Sequence, residues 1–294
     1  MPSEAATSAE TLLTLLAVLP AGTDRFTGPR KPGGIGRVFG GQVIAQALVA
    51  AQHTVAPDRA PHSLHAYFLR GGSEDHAIDY GIERDFDGGS FSNRRVVARQ
   101  QGTPILNCTV SFHRREPGFA HQFAMPDAPP PEGLASEIEL RRAQIHRAPE
   151  ALRPLLLRPP LLEFRPCQPD AWLGEPTEPA IMANWFRIPG ALPDDPAIHR
   201  AMLAYASDYT LLANAALPHP LSWMDGNVMS ASLDHAIWFH DDDFRADEWL
   251  LYATDSPWAG HGRGFNRGRI YTRDGRLVAE TAQEGLIRQV RAKA

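Results

Sequence analysis

Residues 40–55 read GGQVIAQALVAAQHTV, with Val43, Ile44, Ala45, Ala47, Leu48, Val49, Ala50 and Ala51 spread around every side of a helical wheel. A helix with so little polar surface needs burial on all sides. Four alternating, strand-like runs follow at 62–69, 77–84, 91–100 and 104–113, broken by Asp87-Gly88-Gly89 and Gln101-Gly102. Turns this short join neighbouring strands, so the runs predict an antiparallel meander wrapped around the helix. The pattern lapses over 116–160, where PDAPPPEG marks a linker because consecutive prolines join neither a helix nor a central strand. Within it, SEIELRRAQIHRAPEALRPLLLRP holds a short charged helix. The pattern then resumes. LLEFRPC and AIMANWFRIPG are strand-like, and Asp195-Pro196 opens a long helix through PAIHRAMLAYASDYTLLANAAL. Strands follow at 228–239, 249–256, 264–273 and 276–288, with a hairpin turn at Arg273-Asp274-Gly275. The chain therefore divides into 1–115, a linker at 116–160, and 161–294, of α+β class.

The two parts resemble each other. GSFSNRRVVARQQGTPIL (89–106) and GRGFNRGRIYTRDGRLVA (262–279) align without a gap at an offset of 173, sharing Gly89/Gly262, Asn93/Asn266, Arg94/Arg267 and Gly102/Gly275. Upstream, HAYFLR from His65 matches HAIWFH from His235 at an offset of 170. Matches in one order at similar spacing indicate one folding unit used twice. Differences between copies then point to chemistry. Aligning the helices near an offset of 166 sets Gln42 against Asp208; 170 sets His62 against Ser232; 173 sets Val110 against Gln283. Only the second copy holds a carboxylate, a hydroxyl and an amide. If these converge they can fix a water, Asp208 accepting its proton and Ser232 and Gln283 both donating and accepting. By spacing alone each also fits an ordinary role: Asp208 as a cap, Ser232 as a strand serine, Gln283 as a polar edge residue.

Composition narrows the field. At 294 residues and 43 % apolar, the chain can build one large or two ordinary domains, and a net charge of −5 gives no general attraction for nucleic acid or acidic membranes. Cys108 and Cys167 are too few for a disulfide framework, and no metal-ligand spacing appears. The first twenty residues read as a soluble amphipathic helix rather than a signal peptide. A cytoplasmic protein is the expectation.

RVFGGQVIAQAL, HSLHAYFLRGG, GSFSNRRVVARQQG, YASDYTLL, SLDHAIWFH, FRADEWLLY and LVAETAQEGLIR together cover most of the chain outside the linker. In these stretches it resembles the type II acyl-CoA thioesterases, the family of bacterial thioesterase II and the peroxisomal long-chain acyl-CoA thioesterase. The resemblance implies a double hotdog: two antiparallel sheets, each wrapped around a central helix, set side by side and pairing into one. It implies hydrolysis of acyl-CoA to fatty acid and CoA without metal or cofactor, as part of lipid metabolism. It places the water-activating trio on Asp208, Ser232 and Gln283. Bacterial relatives often carry Thr where Ser232 stands. Oxyanion donors are expected at the amino end of the first buried helix, Gly40 and Gly41. His65 is a candidate substrate contact, and Arg94, Arg95, Arg263 and Arg267 are candidate contacts for CoA phosphates. Asp234 reads as a structural neighbour rather than the catalytic acid, and Asp241-Asp242-Asp243 as a solvated turn. A non-catalytic acyl-CoA-binding protein and a hotdog enoyl-CoA hydratase are the alternatives. A homo-oligomer is expected, with no nucleic-acid or membrane partner.

Overall fold

The computed structural model describes residues 4–31, 36–158, 160–221 and 225–290. The final RAKA and part of the loop before the first buried helix lie outside the described residues. The elements begin with helix α1 (Glu4–Leu16) and the short hairpin β1 (Leu19–Gly22) and β2 (Arg25–Gly28). Next comes helix α2 (Gly40–Gln52), then strands β3 (Arg59–Phe68), β4 (Ile78–Asp87), β5 (Phe91–Gln100) and β6 (Thr103–Arg114). The linker carries α3 (Glu137–Gln144), held by a capping box in which Ser136 and Glu139 each receive the other's main-chain N–H. Beyond it lie β7 (Glu163–Pro166), β8 (Ile181–Arg187), helix α4 (Pro196–Ser207), β9 (Val228–Ser232), β10 (Asp234–Phe239), β11 (Leu250–Gly260), β12 (Arg263–Thr272) and β13 (Leu277–Gln289). The β1–β2 hairpin was absent from the sequence reading; its strands are short and hold Pro20, Gly22 and Gly28.

All the strands belong to one antiparallel sheet, not two. Its order is β1-β2-β4-β5-β6-β3-β10-β13-β12-β11-β8-β7, with β9 beside β13. The order reads the same from either end, so each half holds six strands in equivalent places. The halves join where β3 and β10 pair antiparallel, from Ser63↔Trp238 to Tyr67↔Asp234. The sheet curls around α2, whose Gly41, Gln42, Val43, Ile44, Ala45, Gln46, Ala47, Leu48, Ala50 and Ala51 are buried. Helix α4 packs against α2. They meet where Gly41 backs onto the Tyr205 carbonyl; a Cβ at Gly41 would lie 2.3 Å from that oxygen.

Two expectations need correction. The long second helix ends at Ser207, with Asp208 as its C-terminal cap, and Leu211–Ala216 forms a separate 3-10 turn. There Asn214 Nδ2 bonds to the Leu211 carbonyl at 2.8 Å, a local side-chain bond that competes with the helical ladder. The gapless repeat is also out of register on β5 and β12. Buried positions are Ser92, Arg94, Val96 and Ala98 on β5, and Gly264, Asn266, Gly268 and Ile270 on β12. An offset of 173 carries Arg94 onto exposed Arg267, and in a strand one residue of slip exchanges the two faces. Strand pairing gives the true match. Arg94 lies opposite Val110, and Asn266 lies opposite Gln283. Arg94 therefore corresponds to Asn266, while Val110 corresponds to Gln283. The extra residue sits in the turn: Gln101-Gly102 joins β5 to β6, whereas Arg273, Asp274 and Gly275 separate Thr272 from Arg276.

Candidate active site

Three elements of the second half bring the sequence trio together. Asp208 closes α4, Ser232 ends β9, and Gln283 lies mid-strand on β13. The Gln283 Nε2 donates to Asp208 Oδ1 at 2.6 Å and to Ser232 Oγ at 3.0 Å. Gln283 is fully buried, and the Asp208 side chain is 4 % exposed. The first half supplies the fourth contact: the Gly41 N–H, at the start of α2, donates to the Asp208 carboxylate. Gly40 must lack a side chain here, since a Cβ would lie 2.6 Å from Asp208 Oδ2 and 2.8 Å from Phe68. Burial pushes the Asp208 carboxyl up to about 6, against the opposing pull of hydrogen bonds from Gln283, Gly41 and Ser232. The helix ends add to this balance. An anion at the carboxyl end of α4 is disfavoured, and one at the amino end of α2 is favoured.

His235 packs behind this trio. Its ring is fully buried, with Nε2 3.0 Å from Ser207 Oγ and Nδ1 3.9 Å from Asp208 Oδ1. Burial drives its pKa down to about 3, so it is neutral. Asp234, next to it, accepts the Glu284 N–H at 2.7 Å, a structural bond as expected.

Asp208 and Ser232 open onto a cavity of about 1110 Å³. Its apolar wall includes Phe68, Leu106, Leu156, Trp172, Met182 and Leu217. Its basic rim is Lys31, Arg37, Arg70, Arg141 and Arg158. Arg141 is ion-paired with Glu137. Burial lowers the Lys31 pKa, and neighbouring Arg158 lowers it further, while Glu74 opposes them. Cations crowded in this way favour a bound anion.

The sequence reading missed these basic residues, as well as Trp172. Instead it named four arginines that the structure keeps away from the cavity. Arg94 is 1 % exposed, bonded to Thr54 and paired with Asp87 at 2.7 Å. Arg95 pairs with Glu83 and Asp85, Arg263 with Glu284, and Arg267 with Asp255. His65 points to the exposed face, its ring edge-on to Trp238 at 5.0 Å. Gln42 is no counterpart of Asp208: it lies in the first turn of α2, where it donates to the Pro29 carbonyl, whereas Asp208 caps the carboxyl end of α4. Nor is His62 that of Ser232: Ser232 lies opposite Gly285, and the equivalent pair in the first half is Pro61 and Phe112. Gly41 stays in the site, but its N–H serves the carboxylate rather than an oxyanion. Asp241, Asp242 and Asp243 pair with Arg115, Arg200 and Arg276. Among the described residues no three His, Cys, Asp or Glu side chains are placed to hold a metal ion, and no helix is long and apolar enough to cross a membrane.

Known proteins match the chain across both halves. The family model for acyl-CoA thioesterase matches residues 162–286, and that for the acyl-CoA thioesterase N-terminal domain matches 28–113. The chain is 40 % identical to human acyl-coenzyme A thioesterase 8, over 94 % of this chain and 88 % of that one. It is 38 % identical to acyl-CoA thioesterase 2 of Haemophilus influenzae, over 90 % of this chain and 92 % of that one. The crystal structure of acyl-CoA thioesterase II TesB2 from Mycobacterium marinum superposes with a TM-score of 0.78 at 38 % identity, covering 96 % of this chain and 99 % of that one. A conserved protein from Alicyclobacillus acidocaldarius, described as having a hot dog fold, superposes with a TM-score of 0.73 at 21 % identity, covering 96 % and 98 %.

Proposed function

The chain belongs to the acyl-CoA thioesterase family and hydrolyses acyl-CoA thioesters, and we propose that its nucleophile is a water held by Asp208, Ser232 and Gln283. The observation that carries this reading is the Gln283 amide, which ties the buried Asp208 carboxylate to the Ser232 hydroxyl at the cavity wall. A base with a pKa near 6 is ionised at neutral pH yet basic enough to take a proton from an attacking water. The water oxygen bonds to the thioester carbon while Asp208 takes its proton. The tetrahedral intermediate then expels the thiolate, which receives the proton from Asp208. Because the Gly41 N–H is committed to Asp208, the carbonyl oxygen is best served at the adjoining end of α2, where Phe39 and Gly40 line the cavity.

The same reading sets the acyl chain against Phe68, Leu106, Met182 and Leu217, and the CoA phosphates against Lys31, Arg37, Arg70 and Arg158. The architecture is then a double hotdog whose two units share one sheet. The division into 1–115, 116–160 and 161–294 is supported by the family matches, which leave 114–161 outside both. An enoyl-CoA hydratase needs an imidazole beside the catalytic carboxylate; His235 is not among the cavity-lining residues, and His219, which is, belongs to the turn after the 3-10 segment rather than to the hydrogen-bonded trio.

Thiol release from acyl-CoAs of graded chain length tests the reading. Wild type is expected to liberate CoA and Asp208→Asn is not. Water addition to an enoyl-CoA without thiol release, or binding without turnover, would replace it.

A further inference from the structure

The hydrolysis scheme leaves His235 idle, although its ring is fully buried beside the base. Nδ1 has no hydrogen-bond partner and faces Asp208 Oδ1 at 3.9 Å. Two neutral tautomers are available. With the proton on Nε2, the ring donates to Ser207 Oγ, whose hydroxyl donates to the Ala204 carbonyl at 3.0 Å. The bare Nδ1 lone pair then faces a carboxylate oxygen, acceptor against acceptor. With the proton on Nδ1, the Ser207 hydroxyl donates to Nε2 and the ring N–H points at the anion. In a buried site the second arrangement is favoured, because it puts a donor beside a charge. Gln283 is a further acceptor on this side. It stands on the neighbouring strand one step past the Ala236↔Ala282 pair, and its Oε1 is buried without a partner.

We propose that His235 is a positioning residue, a neutral Nδ1-protonated imidazole that holds the Asp208 carboxylate and the Gln283 amide in the orientation that activates water. The inference rests on Asp208 being the base. The other groups facing Asp208 do not compete for the role. Tyr205 from α4 and Tyr252 from β11 are held neutral by burial, α2 offers the Gly41 N–H, and β9 and β13 offer Ser232 and Gln283. In the first half the corresponding residue is not exposed His65, which the 170 offset sets against His235, but buried Leu64, which lies opposite Val110 as His235 lies beside Gln283, and which cannot donate.

The test compares full-length His235→Asn, His235→Gln and His235→Leu by kcat, KM and pH profile. Asn places an amide N–H where Nδ1 lies; Gln places one where Nε2 lies; Leu supplies neither. Loss of a donor to an anion raises that anion's pKa, so the acid limb moves to higher pH. His235→Leu is expected to lower kcat roughly 10- to 50-fold with KM within about twofold, and to move the acid midpoint up by about one pH unit. His235→Gln should behave like His235→Leu, and His235→Asn should keep the wild-type midpoint and most of the rate. A folded His235→Leu with wild-type kcat and an unmoved midpoint overturns the proposal, as do equal losses in all three variants. If His235→Leu does not fold, the contrast between Asn and Gln decides. Asp208→Asn is assayed beside them. If it retains turnover, the reading of the site fails; if it is inactive while His235→Leu is normal, only the role of His235 fails.

Discussion

The two halves of the sheet hold equivalent positions with opposite chemistry. The second half has Asp208, Ser232, His235, Asn266 and Gln283; the first has His53, Pro61, Leu64, Arg94 and Val110. His53 and Asp208 are both helix caps, and strand pairing fixes the rest. In the first half Arg94 reaches across to Thr54, the residue after the cap of α2. In the second half the shorter Asn266 donates to the Gln283 carbonyl, and it is Gln283 that reaches the helix cap, Asp208. The helix ends differ too. Asp195 uses its own carboxylate to cap α4 at the Ala197 N–H, and Pro196 has no N–H to offer. Phe39 gives α2 no side-chain cap, so the Gly41 N–H is available to Asp208. The proposed site is thus composite: residues of one half, steadied by the uncapped helix of the other.

The sharpest way to break this asymmetry is Asp208→Asn. It should lower kcat by about 10³-fold, within the range for loss of a general base, while His53→Ala stays within about twofold of wild type. Below pH about 6 the wild-type rate should fall as Asp208 takes up a proton. Stability runs the other way. The folded pKa lies above the 3.8 of a free Asp carboxyl, so the folded state holds its proton more tightly and loses stability as pH rises through about 4 to 6. At pH 8 the neutral Asn variant should therefore be at least as stable as wild type, by up to about 3 kcal/mol, in urea melts. An inactive variant that also melts early would mean unfolding rather than lost chemistry.

Writing the first half's residue into the second is the next test. Gln283→Val copies Val110 and removes the amide that links Asp208 to Ser232. We expect kcat to fall about 10²- to 10³-fold with a stability loss of about 1–3 kcal/mol, because the buried Asp208 carboxylate loses its amide donor. The opposite probe is Arg94→Met. It should cost about 2–3 kcal/mol of stability through lost charged hydrogen bonds, with kcat per folded molecule unchanged. A large kcat defect there would mean that the first half does more than support.

The sequence displayed the elements better than their faces. Apolar continuity identified α2, and alternation identified β3 to β6 and β11 to β13, because burial on one face leaves that pattern; the single strand expected over 228–239 is two, β9 and β10, parted at Leu233. The slip on β5 and β12 was invisible because Asn93 and Asn266 share a letter while facing opposite sides; strand pairing alone reveals it. Gln283 was matched to its true counterpart, Val110, but Asp208 and Ser232 were set against the wrong residues, Gln42 and His62, and were singled out through the family resemblance; Asp208 proved to be a helix cap. The cavity's basic rim was not legible. Lys31, Arg37, Arg70 and Arg158 come from loops, a strand end and the linker, and share no period. The four arginines chosen from matched strands all meet carboxylates, which pairing shows and sequence position does not.

The mildest substitution probes the hydroxyl. Ser232 accepts from Gln283 Nε2 and is hydrogen-bonded to Asp208, so its oxygen closes the ring of bonds that fixes the carboxylate. Ser232→Ala leaves that amide N–H without its second acceptor but keeps the bond to Asp208, and should cost about tenfold in kcat. Ser232→Thr retains the oxygen and adds a methyl group that narrows χ1. With the cavity beside it to take the methyl, it should stay within about twofold of wild type. If Ala and Thr are equally impaired, the position is sensitive to shape, and the hydroxyl drops out of the asymmetry between the halves. If Ala is impaired and Thr is not, the oxygen is what the second half gained and Pro61, its counterpart, lacks.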